Sequence, residues 1–290
     1  MNFGCLKEIP STRNYDYDIV CGASQPKLPD TYMLPKDRLP KVGNQGNTNS
    51  CVAFAVVSIL EVMYRIEFGS DINLSKGFFY GYNRPQNQMQ MGMYPSKALD
   101  CCRKTGSVPA SLFDILKEMP EMYELVKDRN DLSEVAKRYR IKGYSTIDFP
   151  SNNATKVKQA LYDLKIPLLA ISNRYFGGCH AVIIVGWEKD GFIIQNSWGE
   201  SWGNNGRGKV PYDAINYVYI LADEVFEMKF TDVDKSKWYY DAIKETVFNG
   251  MMQGTGESTF EPDKPLTRGE MAQICVNLCK KIDAVLEQHK

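Results

Sequence analysis

Between Cys51 and Ile66 the chain interrupts thirteen apolar or aromatic residues only with Ser58, Glu61 and Arg65, so apolar side chains fall on nearly every face of a helix. Such a helix is predicted to be buried in the middle of a domain, with the rest of the fold packed around it. The residues leading into it, Gln45-Gly46-Asn47-Thr48-Asn49-Ser50, put a cysteine at its mouth. Ser50 or Asn49 is expected to cap the helix with a side-chain oxygen, which places Cys51 in the first turn. Unpaired backbone N–H groups and the positive end of the helix dipole favour an anion there. A thiol in that position ionises more readily, and the thiolate is the nucleophile. The same stretch, taken alone, also fits an inert core cysteine.

The chain has only two histidines, and their positions bear on that choice. His289 is the penultimate residue. His180 opens the β-branched run His180-Ala181-Val182-Ile183-Ile184-Val185, which reads as a buried strand. Turn residues Glu188-Lys189-Asp190-Gly191 follow, then a second strand, Phe192-Ile193-Ile194-Gln195, with Asn196 at its end. His180 and Asn196 therefore belong to neighbouring strands of one hairpin. A lone histidine in an apolar run is usually a core residue. A capped-helix cysteine followed by a histidine 129 residues later and an asparagine 145 residues later is a far rarer arrangement. That spacing falls within the ~130–150 residues of the papain and cathepsin pattern.

Three pieces then resemble a papain-like cysteine peptidase of bacterial or phage type: Asn44-Gln45-Gly46 ahead of Ser50-Cys51-Val52-Ala53-Phe54; Cys179-His180-Ala181-Val182; and Asn196-Ser197-Trp198-Gly199-Glu200-Ser201-Trp202-Gly203. The resemblance spans most of residues 28–221. It implies an α+β fold of two lobes, a helical lobe carrying Cys51 and a β-barrel-like lobe carrying His180, with the cleft between them. Thr48 stands where the family has a disulfide cysteine, and Val52 where it has an aromatic residue; neither change removes a catalytic group. By resemblance, Gly92, Met93, Tyr94 and Pro95 hold an extended substrate and wall its main specificity pocket. Cys179 and Trp198 complete the predicted contacts, Trp198 by covering the His180–Asn196 hydrogen bond. Residues 1–27, which include Ile9-Pro10-Ser11-Thr12-Arg13-Asn14-Tyr15, resemble a short leader that borders or crosses the cleft and is open to removal.

From about Met228 the landmarks change. Phe230-Thr231-Asp232-Val233, Trp238-Tyr239-Tyr240-Asp241, Asn249-Gly250, Phe260-Glu261-Pro262 and Thr267-Arg268-Gly269-Glu270 resemble one S-layer homology module, giving a second domain over 222–290. Such modules anchor proteins to cell-wall polymers, so a wall polymer or a protein partner is expected for this tail. Thr267 and Glu270 also form a capping box, which explains them without any ligand.

Lysine plus arginine equals aspartate plus glutamate at 35 each, so charge makes no general case for nucleic acid or an anionic membrane as partner. Eight cysteines in 290 residues is too sparse for a disulfide scaffold, and most are expected to be reduced thiols. No metal-ligand spacing appears, and no cofactor is expected. No signal segment is evident, which predicts a cytoplasmic monomer as written, with cell surface or virion left open. Helices are predicted over 75–82, 96–104, 111–118, 121–140 with a break near Asn130, and 154–164 capped by Asn152 or Asn153.

The predicted chemistry is peptide hydrolysis through an acyl-enzyme: a Cys51 thiolate paired with protonated His180, oriented by Asn196. Gln45 and the Cys51 backbone N–H would bind the oxyanion. Two readings compete with it. One is transpeptidation or cell-wall peptide hydrolysis on the same machinery; the other is a catalytically idle fold used for binding or structure.

Overall fold

The computed structural model describes residues 4–6, 15–16, 28–84, 90–148, 154–222, 230–234, 236–248, 252–256 and 258–286. The chain divides into two compact units, Met1–Asp223 and Glu224–Lys290. In chain order the first holds strands β1 (Tyr15–Asp16) and β2 (Tyr32–Met33), then helices α1 (Cys51–Phe68), α2 (Lys76–Tyr82), α3 (Pro95–Cys102), α4 (Glu121–Val126) and α5 (Asn130–Ala136). Strand β3 (Gly143–Asp148), helix α6 (Ala154–Leu164) and strands β4 (Leu168–Ser172), β5 (His180–Glu188), β6 (Gly191–Gln195), β7 (Arg207–Pro211) and β8 (Tyr217–Ala222) follow.

Helix α1 is the axis of this unit, with every residue from Cys51 to Tyr64 buried. Each large apolar side chain so enclosed contributes about 1.5–3 kcal/mol relative to exposure. The helix stops at Gly69, whose φ of 67° is the left-handed conformation glycine adopts most easily. Its one buried acid, Glu61, is satisfied by the Leu74 N–H at 2.7 Å and by the Lys76 ammonium, which ties α1 to the entry of α2. Ser75 caps α2 by accepting from the Phe78 N–H at 2.9 Å.

The start of α1 differs from expectation. Ser50 has φ −101° and ψ 19° instead of the extended conformation of a capping serine, and its hydroxyl lies 2.6 Å from that of Thr48. The Asn49 side chain is likewise occupied, donating to Glu118 at 2.8 Å. The predicted helix over 111–118 is absent. Beyond a turn at Ala110–Leu112 the segment is irregular and lies so close to α2 that a Cβ on Gly77 would sit 1.7 Å from the Ile115 carbonyl oxygen. The break near Asn130 is where α4 gives way to α5. Helix α3 begins at Pro95 instead of Ser96, and Asn152 and Asn153 lie outside the described residues.

The sheet runs β1-β3-β8-β4-β5-β6-β7, antiparallel throughout except between β1 and β3, with β2 added to β5 off that path. β4 is buried at every position and β5 at all but its last, which is why both read as continuous apolar runs. In the register, His180 stands opposite Ser172 of β4, and Asn196 follows directly on Gln195, the partner of Ile183.

In the second unit, α7 (Tyr240–Phe248) and α8 (Arg268–Leu286) accompany a small core of Phe230, Val233, Ile243 and Phe260. The Asp232 carboxylate accepts from the Phe260 and Glu261 N–H groups, bonds that hold its pKa below the usual carboxylate range. The capping box forms as read, with Thr267 N–H donating to Glu270 Oε2 at 2.7 Å and Glu270 N–H to Thr267 Oγ1 at 3.2 Å. Among the described residues no helix is long and apolar enough to cross a membrane.

Candidate active site

Helix α1 begins at Cys51 and strand β5 at His180. The Cys51 thiol is fully buried and lies against the backbone N–H groups of Ala181 and Gly4, within electrostatic reach of Cys179. Residues 179 and 181 flank His180, so the sulfur lies against the stretch of chain that carries the imidazole. His180 is also fully buried, and its Nε2 lies 2.8 Å from Asn196 Oδ1. The Ser197 N–H donates to the same oxygen, again at 2.8 Å, which identifies it as the amide oxygen. An oxygen only accepts, so Nε2 carries the proton and Nδ1 is the basic nitrogen. Asn196 thereby fixes the tautomer without burying a charge.

Aromatic rings enclose this pair. Trp198 stacks on the imidazole with centroids 4.7 Å apart, and the Phe176 ring meets the imidazole edge-on at 5.1 Å. Burial drives the electrostatics: it pushes the Cys51 thiol up to about 12 against the pull of the Ala181 and Gly4 N–H groups, and the His180 imidazole down to about 4 despite the Asn196 bond. Thiol and imidazole are therefore both neutral here at pH 7. The sequence predicts an ion pair from the helix terminus, and desolvation outweighs that terminus in this arrangement.

Gln45 stands beside them, buried and held at both ends. Its Nε2 donates to the Thr48 carbonyl at 2.7 Å, its Oε1 accepts from Ser197 Oγ at 2.6 Å, and its backbone N–H reaches the Ser197 carbonyl at 2.8 Å. The last two contacts join the loop before Cys51 to the loop after Asn196.

The cleft contains a piece of the chain itself. Gly4, Cys5 and Leu6 run alongside Met93, with Met93 N–H donating to the Gly4 carbonyl at 2.8 Å and Leu6 N–H to the Met93 carbonyl at 2.9 Å. On the other side Cys5 N–H donates to the Cys179 carbonyl at 3.4 Å. Gly92 (φ 85°) brings its backbone so near that a Cβ there would lie 2.6 Å from the Gly4 oxygen. The structure thus brings Gly92, Met93 and Cys179 alongside residues 4–6. Tyr94 and Pro95 open α3 directly behind it.

The comparisons agree with this geometry. Residues 28–226 match the papain family cysteine protease profile. The chain belongs to the papain family of cysteine proteases. Relatives of this papain-family chain include a cysteine protease of Blomia tropicalis, 26% identical over 68% of this chain and 67% of that protein. Cathepsin L 2 of Paramecium tetraurelia is 27% identical over 59% of this chain and 55% of that protein. The chain thus spans between about half and two thirds of these curated relatives. Among solved structures, xylellain, a cysteine protease from Xylella fastidiosa, shares the fold with a TM-score of 0.60 at 19% identity, covering 77% of this chain and 97% of that one. Residues 229–272 match the S-layer homology domain. A 51-residue stretch is 47% identical to the surface-layer 125 kDa protein of Lysinibacillus sphaericus, covering 18% of this chain and 4% of that protein. The second unit thus resembles an S-layer homology domain.

Sequence reasoning missed Phe176, Ser197 and Glu118. Ser197 adjoins a residue already singled out, and the aromatic pair Tyr175-Phe176 before Gly177-Gly178 is a visible signal. Nothing in the sequence links Glu118 to Asn49, which is 69 residues away.

Proposed function

We propose that residues 28–221 are a cysteine endopeptidase acting through Cys51, His180, Asn196 and Gln45. The observation that carries this is a buried thiol lying against the backbone beside an imidazole of fixed tautomer, whose Nδ1 is the base in this reading. In the reaction, His180 Nδ1 takes the Cys51 proton and the sulfur attacks the scissile carbonyl carbon. The oxyanion is held by the Cys51 N–H and Gln45 Nε2. The imidazolium then protonates the departing amine, leaving a thioester. Water, deprotonated by His180, releases the carboxylic acid and restores the thiol. Asn196 keeps the imidazole in register, Trp198 shields their bond from water, and Met93 and Cys179 hold the substrate backbone between them. Gly92 allows the close approach, and Tyr94 and Pro95 wall the neighbouring pocket.

In the same proposal residues 1–27 form an inhibitory segment. Residues 4–6 occupy the peptide-binding edge, and Gly4 presents its N–H to the sulfur, so the segment covers Cys51. When it leaves, water returns and the pair can ionise. The domain over 222–290 carries the enzyme to a cell-wall polymer, a role supported by the S-layer homology match.

The test is mass spectrometry after treatment with an epoxysuccinyl thiol reagent. Labelling of Cys51 that disappears in Cys51→Ala and falls sharply in His180→Ala supports the activated pair; equal labelling of several cysteines overturns it. Casein and purified wall peptides, offered in parallel, separate a general peptidase from a wall-peptide hydrolase or transpeptidase. Full chain that fails to sediment with purified cell walls would remove the anchoring role.

A further inference from the structure

A carboxylate outside the catalytic group connects the loop before Cys51 to the strand that pairs with residues 4–6. Glu118 Oε2 accepts from the Asn49 backbone N–H at 2.6 Å and from Asn49 Nδ2 at 2.8 Å, two residues ahead of Cys51. Glu118 Oε1 accepts from Tyr80 Oη and, at 2.8 Å, from the Met119 N–H. Tyr80 Oη in turn accepts from the Gly92 N–H at 3.0 Å, next to the Met93 that pairs with peptide backbone. Arg84 braces the same tyrosine, donating to the Tyr80 carbonyl at 3.0 and 2.8 Å and to the Gln90 carbonyl at 3.1 Å.

We infer that Glu118 is a positioning residue for peptide hydrolysis, holding the nucleophile loop and the peptide-binding strand in fixed relation through Asn49 and Tyr80. The inference rests on the assignment of Cys51 as nucleophile. Thr48 stands where the family has a disulfide cysteine, so no covalent tie is available from that position, and a hydrogen-bonded carboxylate links the nucleophile loop to the peptide-pairing strand instead. The chemistry requires this residue type. Four donors converge on two oxygens, and only an acceptor without hydrogens of its own can satisfy all of them. A glutamine would turn an NH2 group toward either Asn49 or Tyr80 and lose one end of the bridge. Asn49 lies between the helix start and the cleft: its carbonyl faces the bound backbone at Gly4, and its N–H is fixed by Glu118. Releasing it tilts the peptide units that lead to the Cys51 N–H, the oxyanion donor. Misplacement by about 1 Å at a reacting centre costs on the order of 100-fold.

The experiment uses the full chain carrying Gly4→Ala, a change expected to loosen residues 4–6 from the edge where peptide would bind. On a fluorogenic peptide, Glu118→Gln is expected to lower kcat/KM by about 10- to 100-fold, with kcat falling and KM rising together. Tyr80→Phe, which keeps the buried ring, is expected mainly to raise KM. Adding it to Glu118→Gln should cost less than the sum of the two, because both act through one bridge. Met122→Ala, a core change in α4, serves as the stability control: below its melting temperature it should leave both constants as in the parent. Kinetic constants for Glu118→Gln within twofold of the parent, or no worse than those of Met122→Ala at matched melting temperature, overturn the inference. Retained activity in Cys51→Ala would instead overturn the nucleophile assignment, so the two failures are distinguishable.

Discussion

The segment over the active site is tested most directly by a single methyl group. A Cβ on Gly4 would lie 1.7 Å from the Asn49 carbonyl oxygen and 2.1 Å from its carbon, both backbone atoms that no rotamer change can move. Reaching even a 3.0 Å contact needs a retreat of at least 1.3 Å, since real Cβ atoms essentially never approach closer. The bond from Met93 N–H to the Gly4 carbonyl, now 2.8 Å, does not survive a shift of that size, and the 2.9 Å bond from Leu6 to Met93 is pulled with it. Two such bonds contribute about 1–3 kcal/mol net. At 1.4 kcal/mol per tenfold, Gly4→Ala moves the closed-to-open ratio roughly 5- to 150-fold toward open.

Alkylation of Cys51 by iodoacetamide and initial rates on a fluorogenic peptide read that ratio. Both should rise in Gly4→Ala by the same factor, up to the value reached when residues 1–27 are deleted. If Gly4→Ala leaves both rates within twofold of the parent while deletion raises them, the Gly4 contact with Asn49 is not what seats the segment. If deletion changes neither rate, residues 1–27 do not inhibit.

Three further outcomes follow from the geometry. Gln45→Ala should lower kcat by about 100-fold or more with a small change in KM, as expected for loss of an oxyanion donor, and a KM effect alone would contradict that role. His180 is held near pKa 4 in the folded chain against 6.5 in its ordinary state, so the unfolded chain binds the extra proton between those values and stability falls as pH drops from about 6.5 to 4. That loss is of order 3 kcal/mol, and urea unfolding of His180→Gln should lack most of it; an identical acid slope in both proteins would refute the assignment. In the second unit, Thr267→Ala should cost about 0.5–2 kcal/mol in the unfolding of that unit while peptidase rates stay unchanged, since the hydroxyl caps α8 and touches no substrate.

Long-range pattern was legible where one physical requirement fixed it. A helix apolar on all sides has to be central, a β-branched run has to be a buried strand, and the hairpin that joins His180 to Asn196 follows from its turn residues. The start of α1 was not legible, because Ser50 and Asn49 suit a cap by residue type while their partners, Thr48 and Glu118, depend on tertiary contacts. The segment 111–118 misled for a related reason: its composition suits a helix, but contact with Gly77 holds it in irregular form. The neutral state of the catalytic pair was hidden as well. The sequence displays the helix terminus that lowers a thiol pKa, whereas the burial that raises it comes from the fold and from residues 4–6.

That burial explains why the third member of the group is an asparagine. Asn196 is 2% exposed, and a carboxylate there would bring a charge into a site where the thiol and imidazole are already neutral. An amide oxygen orients Nε2 equally well and carries no desolvation cost of that kind, so the closed site is stable without an ion pair. The enclosure is also one-sided. Trp198 and Phe176 cover the imidazole by ring contacts that do not involve residues 4–6, whereas the sulfur is approached by the Gly4 N–H. On the proposed reading, departure of the segment would rehydrate the sulfur while the Nε2–Oδ1 bond stays dry, the combination in which a thiolate gains most and the imidazole keeps its alignment.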